Sequence, residues 1–253
     1  MQGTDVFLAH VPELRGARGP LTFLFALALF AAASGVMYFV DGLWPEGTLV
    51  TQVVVVLVGF FTAAPFFWRR KAYKARWGEK AYWRAFSRHI VPGLPLLFAA
   101  IAHTAYMPGP RIITGWATPI VSMLGLYFLL TGLVVWARGG MVIGVDYGLM
   151  LYVYFPAGSH VVNSAIYSLI RHPMYSGAVR VGLALGLWRG TLWSVLFGLS
   201  MPLGLTLWLR LAEEPELIER FGEGYAEYRR KVPAFWPRWR EAGKFVRLLL
   251  TGG

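Results

Sequence analysis

Five stretches of this chain run for about twenty residues or more without one Asp, Glu, Lys or Arg. They are 19–40, 47–68, 89–110, 112–137 and 190–209. A helix that crosses the hydrocarbon of a bilayer needs about 20 predominantly apolar residues, so each run is long enough to span. Charged residues make up 15% of the 253 residues against about 25% in a soluble domain, and 57% are hydrophobic. That balance excludes a disordered chain. The absence of cysteine excludes a disulfide-stapled scaffold and a thiolate metal site.

A further apolar stretch, Met174 to Trp188, is interrupted only by Arg180 and is followed by the tight turn Arg189-Gly190. With the run 190–209 it predicts a helical hairpin and about six transmembrane helices in all. The expected fold is therefore an all-α, polytopic helical bundle. The segment Tyr147 to Ile170 is also free of charge. It contains Pro156, Gly158 and Asn163, and its backbone groups would lack partners in lipid, so it is not counted as a span. The stretch Gly19 to Val40 reads as a membrane anchor rather than a signal, because Asp5 and Glu13 precede it alongside Arg15 and Arg18.

The basic residues are distributed unevenly. Arg15 and Arg18 precede the first span, eight lie in the loop 69–88, Arg138 and Arg171 flank the segment after the fourth span, and nine follow from Arg210 onward. With six spans, 21 of the 24 fall on one face, which the positive-inside rule makes cytoplasmic. Both termini are then expected in the cytoplasm. The formal charge of +11 reads as a membrane address. The expected partners of the basic loop 69–88, and of Arg238, Trp239, Arg240, Lys244 and Arg247, are anionic lipid headgroups and not nucleic acid.

The hairpin brings two polar segments together on the cytoplasmic face, so Arg171, His172 and Tyr175 are expected beside Glu213 and Glu214. Ionisable clusters at a membrane are expensive and tend to be functional. After the acidic pair, Leu217, Phe221, Tyr225 and Tyr228 share one helical face. Glu216 with Arg220, and Glu227 with Lys231, form i,i+4 pairs expected on the wet side. Gly222 and Gly224 are expected to break this helix in two. Of the histidines, His89 and His103 are expected to be packed or interfacial, His10 to lie in a mobile tail, and His160 to be a weak site candidate.

Taken together, Arg171-His172-Pro173-Met174-Tyr175-Ser176-Gly177 and the later run from Glu213-Glu214 through Phe221-Gly222, Tyr225 and Tyr228 to Val232-Pro233 resemble a known signature. It is that of the isoprenylcysteine carboxyl methyltransferases, a family allied to the membrane phospholipid methyltransferases. The resemblance covers about residues 167–237. It implies a methyltransferase that uses S-adenosylmethionine, with a cytosolic C-terminal cofactor-binding region and a lipophilic or membrane-borne acceptor. The chain is expected to divide into a four-span region, 1–137, and a methyltransferase region, 138–253. Carried over by position, His172, Glu213 and Glu214 would bind cofactor, with Tyr167 and Tyr175 beside them. Arg171, His172 and Glu214 are the candidates for catalysis, and no metal is implied. Arg171 or His172 would meet the cofactor's carboxylate, Glu213 or Glu214 its ammonium or ribose hydroxyls, and a tyrosine face its sulfonium.

Two departures fall where an acceptor would be recognised. Ala165-Ile166 precede Tyr167 where the family often has Gly-Pro, and the tail reads Val232-Pro233-Ala234-Phe235-Trp236-Pro237 in place of VPxGxP. The acceptor therefore stays open among a prenylcysteine-like carboxylate, a phospholipid amine and a small thiol. A membrane reductase using NADPH and a non-catalytic membrane protein are more remote readings.

Overall fold

The computed structural model describes residues 3–252. Six helices form the bundle: α1 (Arg18–Leu43), α2 (Thr48–Ala63), α3 (Val91–His103), α4 (Ala117–Gly148), α5 (Pro173–Arg189) and α6 (Leu192–Trp208). Three shorter ones follow: α7 (Glu214–Phe221), α8 (Glu223–Lys231) and α9 (Ala242–Thr251). No strand occurs among the described residues. With its short flanking turns included, the chain holds five helical stretches long and apolar enough to cross a membrane: Arg18–Leu43, Pro45–Trp68, Arg70–His103, Ala117–Gly148 and Leu192–Phe221. The protein is a multi-pass membrane protein. On α1, Leu21, Phe23, Leu24, Phe25 and Leu27 are all exposed, as expected of side chains whose solvent is lipid.

The sixth expected crossing, α5, is shorter. Its 17 residues correspond to about 25 Å of rise. It is buried between two partners and antiparallel to both. A Cβ on Gly125, Gly132 or Gly139 of α4 would collide with Trp188, Arg180 or Pro173 of α5. These glycines recur every seven residues, so one face of α4 lets the α5 backbone approach closely, the usual way membrane helices associate. On the other side, Gly182 meets Met201, and Gly186 meets the backbone of Ser194 in α6. The turn between α5 and α6 is fixed by a capping box, with Thr191 and Ser194 each accepting from the other's backbone N–H.

The structure corrects three expectations. The basic segment 69–88 is helical, comprising Arg70–Trp77 and Ala81–Ala85, and runs through a π-helical turn, Phe86–Ile90, into α3. Its exposed Arg76, Arg84 and Arg88 gather over the ring of Trp77 at 5.8, 5.8 and 5.4 Å, each a cation–π contact, and Arg70 and Lys71 pair with Glu219 at 2.7 and 3.0 Å. His10 is not in a mobile tail. It ends the helix Thr4–His10, its ring lies 4.8 Å from that of Phe155, and Phe7 of the same helix is buried edge-on against Tyr82. The third correction concerns Glu216 and is described with the site.

At the opposite end from the basic segments, α1, α2 and α3 share a buried polar contact. His103 lies 2.6 Å from Asp41 through Nε2 and 2.6 Å from Gln52 through Nδ1, and Gln52 donates to the Ala100 carbonyl at 2.9 Å. His103 thus has the packed position expected of it.

Candidate functional site

The site is assembled where α5 begins and α6 ends. Pro173 occupies the first turn of α5, where its missing N–H matters least. The two residues before it are extended enough to pair with the C-terminal tail. Arg171 N–H donates to the Pro233 carbonyl at 3.0 Å and His172 N–H to that of Ala234 at 3.1 Å. The Arg171 side chain adds a bond from Nη1 to the Val232 carbonyl at 2.8 Å. The Arg-His-Pro element and the Val-Pro tail, far apart in the chain, are therefore one structural unit.

Between α6 and α7 the chain makes a π-helical turn, Leu209–Glu213, a local distortion common at functional sites. It sends the two adjacent glutamates different ways. Glu214, 1% exposed, receives Arg171 Nε at 2.9 Å, with His172 Nε2 and Arg229 Nε each at 3.4 Å. Glu213 accepts from the Tyr175 hydroxyl at 2.5 Å and lies 3.6 Å from His172 Nδ1. Trp208 Nε1 donates to the same Tyr175 oxygen at 3.1 Å. The His172 ring thus sits between the two carboxylates, with the Tyr225 hydroxyl 3.4 Å from its Nε2.

A cavity of about 390 Å³ opens beside this cluster. Arg171, His172, Tyr167, Tyr175 and Glu213 line it, together with Tyr225 and Tyr228. Glu214 does not line it, and its contacts are those of a residue holding Arg171 and His172 in place. The cavity continues between α3, α4 and α5 past Leu97, Phe98, Ile101, Trp136 and Val181, so one space has a polar end and an apolar arm.

Outside the spans, burial pushes the phenols of Tyr167, Tyr225 and Tyr228 well above the usual tyrosine range, and the carboxylates of Glu214 and Glu213 add to the effect at Tyr225. These hydroxyls remain neutral donors at physiological pH. That of Tyr228 donates to the Tyr167 carbonyl at 2.6 Å.

All the residues singled out in the sequence, Tyr167, Arg171, His172, Tyr175, Glu213 and Glu214, are brought together. Others were missed. Glu216 and Arg220 form the expected i,i+4 pair at 3.0 Å but are not on a wet face. Glu216 is 3% exposed, and both line the cavity. Periodicity assigned the polar stripe of α7 to water because nothing in it shows that the end of α4, with Tyr147, and the irregular segment after it, with Tyr152 and His160, line the same cavity. Trp208 and Arg229 had no signal beyond their distance from the motif. The amphipathic segment does break in two, at Gly222, whose φ of 58° and ψ of −136° suit glycine alone.

Residues 120–224 match the family model for phospholipid methyltransferases. The matched stretch covers α4 to α7 and includes Arg171, His172, Glu213 and Glu214. It agrees with the resemblance seen in the motifs over this part of the chain. No curated protein and no solved structure matches the chain.

Proposed function

We propose that this protein uses S-adenosylmethionine to methylate a lipophilic acceptor that enters from the bilayer. The observation that supports this best is the single cavity with the Arg171–His172–Glu213 cluster at one end and the apolar arm between α3, α4 and α5 at the other. Bound S-adenosylmethionine would supply an activated methyl group on a sulfonium.

The donor set fits such a group. Glu213 offers a carboxylate to an ammonium or to ribose hydroxyls, and Arg171 offers a cation to a carboxylate. Arg220 Nη1 is buried with no hydrogen-bond partner in the protein, so an anionic group in the cavity would complete it. The faces of Tyr167, Tyr175 and Tyr225 suit an adenine ring or a cation.

The chain's own contribution is to hold and exclude. Glu214, which does not line the cavity, pairs with Arg171 and Arg229, leaving Glu213 and the Arg220-paired Glu216 as carboxylates on it. The buried phenols donate hydrogen bonds without ionising. The apolar arm keeps water from the reacting groups and aligns the acceptor, the largest gain available to a displacement of this kind. If the acceptor must lose a proton, His172, His160, Glu213 and Glu216 line the cavity and are able to take it.

The acceptor is a membrane lipid or lipidated group bearing a carboxylate or an amine. The phospholipid methyltransferase match favours the amine, and the Arg-His-Pro element with the Glu213-Glu214 pair keeps the carboxylate open. Both termini face the cytoplasm in this reading, because that places 21 of the 24 basic residues against anionic headgroups. Incubating the purified protein with methyl-labelled S-adenosylmethionine and membrane lipid extract tests the reading. Label is expected in the lipid fraction, as a base-labile ester or a stable N-methyl group. No incorporation into any lipid would overturn it.

A further inference from the structure

The tail residues 232–235 have four consecutive carbonyls that must find partners beside a membrane-embedded helix. Those of Val232, Pro233 and Ala234 are met by Arg171 and His172 as described. The fourth, Phe235, accepts from Ser176 Oγ at 2.5 Å and from Arg180 Nη1 at 3.2 Å. Arg180 also donates to the Ser176 carbonyl at 3.1 Å and to Ser176 Oγ.

Arg180 is 2% exposed, lies eight residues into α5 and has no ion pair with an acidic side chain among the described residues. Its charge is accommodated instead by rings. Trp236 lies 4.1 Å and Phe245 5.6 Å from the guanidinium, and Trp236 packs edge-on against Phe128 of α4 at 6.1 Å. A buried cation without a carboxylate is costly, and general packing of α4 on α5 does not need one, since glycines already supply it.

We propose that Arg180 is a positioning residue. It bolts the tail 233–236 into the groove between α4 and α5, and the tail in turn fixes the backbone of Arg171 and His172 at the cavity. This rests on the functional reading only for what the cavity binds. Residues 171, 172 and 233–235 form a ladder whose outer end is Arg180 and whose inner end is the site, so loosening the bolt shifts the site with no cavity-lining atom changed.

The test compares the full-length protein with Arg180→Lys and Arg180→Met in detergent, by hydrogen exchange and by calorimetry with S-adenosylmethionine. Both variants are expected to speed exchange at the Arg171 and His172 amides, with Lys less severe than Met. Exchange across α4 should stay unchanged. Affinity for S-adenosylmethionine should fall about tenfold or more in Arg180→Met, equivalent to about 1.4 kcal/mol, and recover partly in Arg180→Lys. If Arg180→Met gives no cooperative melt, Arg180→Lys carries the test alone. A folded variant with unchanged exchange at residues 171 and 172 would overturn the proposal. If the parent protein fails to bind S-adenosylmethionine but the exchange result holds, the positioning role stands and the cofactor assignment falls.

Discussion

Arg171 and Glu214 stand 43 positions apart in the chain and meet at 2.9 Å, with Glu214 almost wholly buried. The contact closes the hairpin of α5 and α6 at its open end and draws Arg229 and His172 to the same carboxylate. It divides the labour of the glutamate pair, with Glu214 holding the frame and Glu213 facing the cavity.

Removing the Glu214 carboxylate is therefore a stability change. Glu214→Ala leaves Arg171 without its buried partner, a loss of about 3–5 kcal/mol for a buried pair broken on one side. A lowered thermal midpoint in detergent checks this. A variant as stable as the parent would show that the carboxylate does not hold the frame.

The Tyr228 hydroxyl ties α8 to the segment before the Arg-His-Pro element through the Tyr167 carbonyl. Tyr228→Phe keeps the ring and leaves that carbonyl without its donor. A loss of about 1 kcal/mol is expected, read as a shift in denaturation midpoint with the apolar packing intact.

The glycines of α4 are not equivalent. Gly132 lies against the α5 backbone, where an added Cβ would come within 2.8 Å of Arg180 and 3.1 Å of the Gly177 carbonyl, whereas Gly140 has open space. Gly132→Leu should prevent correct assembly, seen as loss of the monodisperse folded peak in size-exclusion chromatography. Gly140→Ala should be neutral or stabilising by up to about 1 kcal/mol from helix propensity.

His103 is predicted to matter through Asp41. His103→Leu strands a buried carboxylate and should destabilise by about 3–5 kcal/mol. The double variant Asp41→Leu with His103→Leu should be less damaging than the single one, because no buried charge is left unpaired. The two thermal midpoints in the opposite order would contradict the pairing.

Much of this arrangement was legible in the residues. The charge-free runs gave the helices because bilayer thickness fixes their length, and the turn Arg189-Gly190 gave the hairpin that brings Arg171 to Glu214. The break at Gly222 followed from two glycines in one short helix. Other features depended on what lies over a face. Glu216 and Arg220 have the spacing of a solvated pair, and only the segment around Tyr147 and Tyr152 turns that face into a cavity wall. Arg180 resembled an interruption in a span, because its partner, the Phe235 carbonyl, lies 55 positions away. The basic stretch 69–88 resembled a loop by charge, yet it is helical, with Arg76, Arg84 and Arg88 exposed over the ring of Trp77.

The central claim is that the polar end of the cavity holds S-adenosylmethionine, and calorimetric titration of the purified, detergent-solubilised protein tests it most directly. The account predicts saturable binding of one molecule per chain, weakened about tenfold or more by Glu213→Gln, about 1.4 kcal/mol, at an unchanged melting temperature. Absence of saturable binding to the folded protein would contradict it.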